Sequence, residues 1–124
     1  MPNFQQRVMD LVRDYWPGIG EDRVERGRRL LEEALELAQA VGVTHEQALG
    51  HVERAFSRPP GAVDQELGQV VLCVAALAEV EGFDTRMRGE IELERLSAPG
   101  MKEKMRARHA AKVADGMAGA INEA

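Results

Sequence analysis

Hydrophobic positions along the chain recur at helical rather than strand spacing, and Pro and Gly punctuate them into stretches. Phe4, Val8, Leu11 and Val12 share one face and the pattern stops at Trp16-Pro17-Gly18, which predicts a short helix from Asn3 to about Tyr15 and a turn. From Glu21 to Val41, a broad apolar face carries Leu30, Leu31, Ala34, Leu35, Leu37, Ala38 and Val41, with Gly42 as its stop; this is the best-defined amphipathic helix. Thr44 followed by Gln47 has the form of a capping box, so a third helix is expected from Thr44 to about Phe56. The segment Ser57-Arg58-Pro59-Pro60-Gly61 removes donors and fixes the backbone, making a stiff connector. Asp64 to Val80 predicts a fourth helix, apolar on nearly every side and therefore expected at the centre; Gly82 ends it and Asp84 caps a fifth helix running to about Leu96. Ser97-Ala98-Pro99-Gly100 breaks the fifth helix, and residues 100–124 are Ala-rich, charged and helix-prone, with an end expected to fray.

These elements add up to an all-α chain, and its 124 residues fit one domain, 1–124, in which 1–18 form an N-terminal helix and turn and 100–124 a C-terminal helical extension. An aromatic share of only 4% leaves Leu, Val, Ala and Met to fill the interior, which suits helix-on-helix packing. Sixteen basic against 21 acidic side chains give a net charge of -5, which argues against a nucleic-acid polymer as the main partner while leaving mononucleotides with a metal open. The single cysteine, Cys73, lies in an apolar run and reads as a packed, reduced thiol. The longest apolar run, Val70 to Ala78, is far short of a membrane span, and no signal-peptide pattern opens the chain, so a soluble, cytoplasmic protein without a membrane partner is expected.

Chemistry-bearing residues cluster on two of the helices. Helical residues advance about 100° each, so Glu33 and Glu36 lie roughly 60° apart and both carboxylates can point at one spot. A solvated acidic face is the other reading, with Arg28 and Glu32, and Arg29 and Glu33, as four-apart ion pairs. On the fourth helix the same wheel sets Glu66 among Val70, Cys73 and Leu77, where a carboxylate is expected to be buried and to need a cation, a hydrogen bond or an arginine such as Arg26 or Arg29. Gln69 stands about 60° from it. Two helices that each offer polar side chains three apart make an oxygen-rich set of the kind hard divalent cations prefer, magnesium first among them. No Gly-rich phosphate loop or GxSxG elbow is present, and His45, His51 and His109 lack zinc-site spacing.

Leu31-Glu32-Glu33-Ala34-Leu35-Glu36-Leu37 and Glu66-Leu67-Gly68-Gln69-Val70-Val71 resemble the paired ExxE and ExxD motifs of the MazG-like all-alpha NTP pyrophosphohydrolases, over roughly residues 26 to 82 and most closely a short phage and bacterial subgroup. The resemblance implies a helical bundle with a four-helix core, a homodimer or homotetramer, a nucleotide substrate, and Mg2+ or Mn2+ held by Glu33, Glu36, Glu66 and Gln69, with Glu32 or Glu33 acting on water. The sequence departs from the family pattern at Gln69, where an aspartate is expected, and in the later Asn and Lys positions, which have no counterpart in Leu96-Ser97-Ala98-Pro99-Gly100. Lys102, Lys104, Arg106 and Arg108 lie just beyond and are candidates to meet phosphates, a solvated basic face being the alternative. Two other functions stand beside the hydrolase: a homologue that binds a nucleotide without turning it over, and a helical dimerisation module in which Glu66 is merely ion-paired.

Overall fold

The computed structural model describes residues 1–122. Among them are six α-helices, one 3-10 turn and no strand: α1 Phe4–Tyr15, the turn Ile19–Glu21, α2 Arg23–Ala40, α3 His45–Phe56, α4 Val63–Glu81, α5 Thr85–Leu96 and α6 Met101–Ala114. The all-helical class and the element order are those the sequence pattern predicts. Capping chemistry sets the boundaries. The Asn3 side chain accepts from the Gln6 amide while the Gln6 side chain accepts from the Asn3 amide, and Thr44 with Gln47 repeats this reciprocal box at the start of α3. Asp84 accepts from the Met87 amide at 2.8 Å, as its position before α5 suggests. At the end of α4, Gly82 takes a left-handed conformation (φ 78°) that a side chain would disfavour.

The chain divides into two compact units, residues 1–34 with 90–124, and residues 35–89. In the first unit α1 and α6 are packed together and hold its small core, Val12, Tyr15 and Ala118. Specific polar bonds brace that packing. The Tyr15 hydroxyl donates to the Leu96 carbonyl, Arg106 Nε donates to the Tyr15 carbonyl at 2.8 Å, and Lys102 pairs with Asp14 at 2.9 Å. Arg7 forms a two-pronged pair with Glu90. Gly20 is buried where the 3-10 turn runs close over α1, and a β-carbon there would meet the Val12 carbonyl at 3.0 Å.

The second unit buries none of its residues. Along α4, Leu67 is 58% and Leu72 is 65% exposed, and Cys73 is exposed as well. This corrects two expectations, that α4 is the buried central helix and that Cys73 is packed. A helical wheel reports which residues share a face, not whether anything covers that face, and in the single chain α3 and α4 do not pack along one another. No helix among the described residues is long and apolar enough to cross a membrane.

Removing the Tyr15 hydroxyl deletes a part-buried hydrogen bond, so Tyr15→Phe is expected to lower the unfolding free energy of the first unit by about 1 kcal/mol. Urea denaturation followed by the fluorescence of Trp16, the adjoining residue and the only tryptophan, checks it.

Candidate functional site

The acidic turn of α2 carries the densest set of oxygen ligands. Glu32, Glu33 and Glu36 each bring a carboxylate oxygen to within 4.8 Å of the others, because positions i, i+1 and i+4 of a helix project to neighbouring points on one side. Glu33 and Glu36 are exposed and Glu32 is half-buried. Glu36 also borders a notch of about 360 Å³ between the end of α2 and the start of α3, shared with Gln39, Thr44 and His45. The notch has the volume of the smaller ligand pockets.

Glu32 is already matched by two cations. Lys112 lies 3.0 Å from one of its oxygens and Arg29 lies 2.8 Å from the other. The Lys112 hydrogen bond, reinforced by Arg29, holds the Glu32 carboxyl below the usual glutamate range against the opposing effect of desolvation. Three-apart ion pairs form on this helix: Arg29 reaches Glu32, and Arg28 approaches Glu25 at 3.9 Å.

Glu66 does not take the buried position expected of it. It is exposed in the first turn of α4, its carboxylate folded back so that a β-carbon on Gly61 would lie 2.5 Å from Oε1. The Pro-Pro-Gly connector therefore sets the space around this carboxylate. Gln69, one turn further on, is exposed too. The acidic group on α2 forms without either of them.

The basic candidates on α6 divide by role. Lys102 and Arg106 are spent on α1, binding Asp14 and the Tyr15 carbonyl. Lys104 is exposed, and Arg108 is exposed with its guanidinium 3.8 Å from the Met105 sulfur.

A second polar cluster escaped the sequence reading. Glu25 is only 2% exposed, and its Oε2 accepts from the Gly119 amide at 3.0 Å. His109, also buried, donates through Nε2 to the Gly119 carbonyl at 2.6 Å, and its ring lies 6.1 Å from that of Trp16. The segment 115–122 is thereby strapped across the turn after α1, where the Asn122 amide also donates to the Pro17 carbonyl at 3.0 Å. Arg28 donates to the Gly116 carbonyl at 2.7 Å and Arg29 to the Met117 carbonyl at 3.2 Å. Among the described residues Glu25 Oε1, Trp16 Nε1, Arg26 Nε and Arg29 Nε are buried without a hydrogen-bond partner. Each such group costs about 1–3 kcal/mol. Burial also lowers the Arg26 pKa. Gly116 and Gly119 were the available signal, since two glycines three apart disfavour continued helix.

Compared with protein-family models, curated proteins and solved structures, the chain matches none.

The ion pair on Glu32 fixes a sign of pH dependence. A carboxyl whose folded pKa is depressed contributes stability that is complete above its unfolded value, about 4.3, and is lost as pH falls through the lower folded value. The half-exposed geometry limits that contribution to about 0.2–1 kcal/mol. Lys112→Met is expected to flatten the acid-side loss, as read from thermal melts across the acidic range, whereas an unchanged profile would show that the pair contributes nothing.

Proposed function

We propose that this protein is a metal-dependent nucleoside triphosphate pyrophosphohydrolase, converting a nucleoside triphosphate to the monophosphate and pyrophosphate. The observation that carries the reading is the convergence of Glu32, Glu33 and Glu36 on one turn of α2, a donor set that suits a hard divalent cation. The reaction itself comes from the resemblance of the two motifs to MazG-like enzymes. Glu33 and Glu36 would hold Mg2+ or Mn2+, with Glu66 and the neutral oxygen of Gln69 completing the set. When bound, the metal supplies a Lewis acid for the phosphoryl oxygens and lowers the pKa of a water.

The protein's own groups have narrower tasks in this account. Glu32, kept ionised by Lys112 and Arg29, is a weak base and serves to orient water by accepting its hydrogen bond. Glu33 stands next to it on the same turn and is the other candidate to act on water. The notch beside Glu36 offers room for part of the nucleotide.

The proposed assembly is a homodimer or homotetramer. Leu67, Val71 and Leu72 on α4 and Leu49 and Phe56 on α3 are exposed, and a second copy laid on these faces would complete the four-helix core that the resemblance implies. Sedimentation at micromolar concentration is expected to give a dimer or tetramer, and a monomer would count against this assembly.

Turnover is tested by pyrophosphate release over a panel of nucleoside triphosphates with Mg2+ and Mn2+. Glu33→Gln and Glu36→Gln are each expected to lower kcat/KM by on the order of 100-fold, and Gln69→Asp to raise turnover. Folded protein that hydrolyses none of the panel with either metal contradicts the proposal.

Two observations favour a second reading. Glu32 is already neutralised from within, and the apolar faces of α3 and α4 suit a helical dimerisation module. In that case metal and nucleotide leave the melting temperature unchanged, because only a ligand that binds the native state raises it.

A further inference from the structure

Segment 115–122 is held on the first unit by unusual means. It contributes one buried apolar side chain, Ala118, and is fastened through backbone groups to Glu25, His109, Arg28, Arg29 and Pro17. It lies beside buried polar groups without partners, Glu25 Oε1, Trp16 Nε1 and the Nε atoms of Arg26 and Arg29, which weaken any closed arrangement that leaves them so. The two arginines that meet the strap, Arg28 and Arg29, each give one guanidinium nitrogen, Nη2, to a neutral carbonyl there, while Nη1 of Arg29 pairs with Glu32 at 2.8 Å and Nη1 of Arg28 approaches Glu25 at 3.9 Å. A guanidinium bonds a phosphate more strongly, through charge and a two-pronged geometry that a single carbonyl cannot match.

From these features we infer that segment 115–122 is a self-inhibitory strap. It occupies Arg28 and Arg29, and a polyphosphate chain displaces it to reach them. Lys112, which lies with Arg29 around Glu32, is a third cation beside that surface. The ligand class is a linear triphosphate, free or carried by a nucleoside. The strap and its arginines act in this way whether or not the α2 carboxylates hold a metal. The ligand overlaps with that of the proposed hydrolase, but the device requires neither cation nor turnover.

The strap's closed fraction reduces the apparent affinity of any ligand that needs it open, so loosening it strengthens binding. Gly119 is the place to loosen it, because a β-carbon there meets Ile19 Cγ1 at 3.0 Å and Cδ1 at 2.6 Å in the docked position.

The experiment is hydrogen exchange on the full chain in EDTA, with and without inorganic tripolyphosphate and, separately, ATP, paired with calorimetric titration of the same two probes. In the wild-type protein a saturating probe is expected to speed exchange in 115–122 while slowing it around Arg28 and Arg29. Gly119→Val is expected to bind about tenfold more tightly, and Arg28→Ala together with Arg29→Ala to abolish binding. Equal effects of the two probes identify the phosphate chain as the recognised group, and an effect of ATP alone identifies a nucleoside-borne chain; either supports the strap. Binding that leaves exchange in 115–122 unchanged overturns it. So does the failure of both probes to bind the wild type and Gly119→Val alike. Failure of hydrolysis in the separate turnover assay leaves these readouts standing, because they contain no metal.

Discussion

The constraint on which the rest depends is the unburied apolar surface of residues 35–89. Burying a Leu or Val side chain stabilises by roughly 1.5–3 kcal/mol, and in the single chain Leu67, Val71 and Leu72 are each more than half exposed. Helices as short as the 12 residues of α3 are marginal in water without tertiary packing. Surface laid against this unit would stabilise it, which is why a second copy belongs to the proposed function. The same constraint bears on chemistry, since α4 carries Glu66 and Gln69, and a second copy covering α4 would also set the dielectric in which those side chains sit.

The first unit solves the same problem differently. Its core is small, but polar bonds with defined partners brace it: Tyr15 to Leu96, Arg106 to Tyr15, Lys102 to Asp14 and Arg7 to Glu90. Two of the cations that sequence spacing suggested for phosphates are used up in this bracing. The cations that adjoin the acidic turn of α2 are instead Arg29 and Lys112, and they hold Glu32 ionised while Glu33 and Glu36 project from the same turn.

Local chemistry made much of the fold legible. The Thr44 and Gln47 box, Asp84 before α5 and Gly82 after α4 each act within a few residues, so their effect could be read without knowing the tertiary arrangement. The convergence of Glu33 and Glu36 was legible for the same reason, because helical geometry alone brings them together. Burial was not legible in this way. Glu66 lies among apolar positions on its wheel, yet it is exposed, with its carboxylate folded back toward Gly61 of the Pro59-Pro60-Gly61 connector. The strap was hidden for a related reason. Glu25 and His109 read as ordinary helical polar residues until Gly119, distant from Glu25 in sequence, supplies both an amide and a carbonyl to them.

The central claim is that the acidic turn of α2 is a divalent-cation site rather than a solvated face. Titration of Mn2+ followed by the electron paramagnetic resonance signal of the free ion tests it most directly. The account predicts that the protein removes Mn2+ from the free-ion signal and that Glu33→Gln with Glu36→Gln restores the signal while helicity, read by circular dichroism, is unchanged. An undiminished free-ion signal with the wild-type protein, or equal uptake by the double variant, would contradict it.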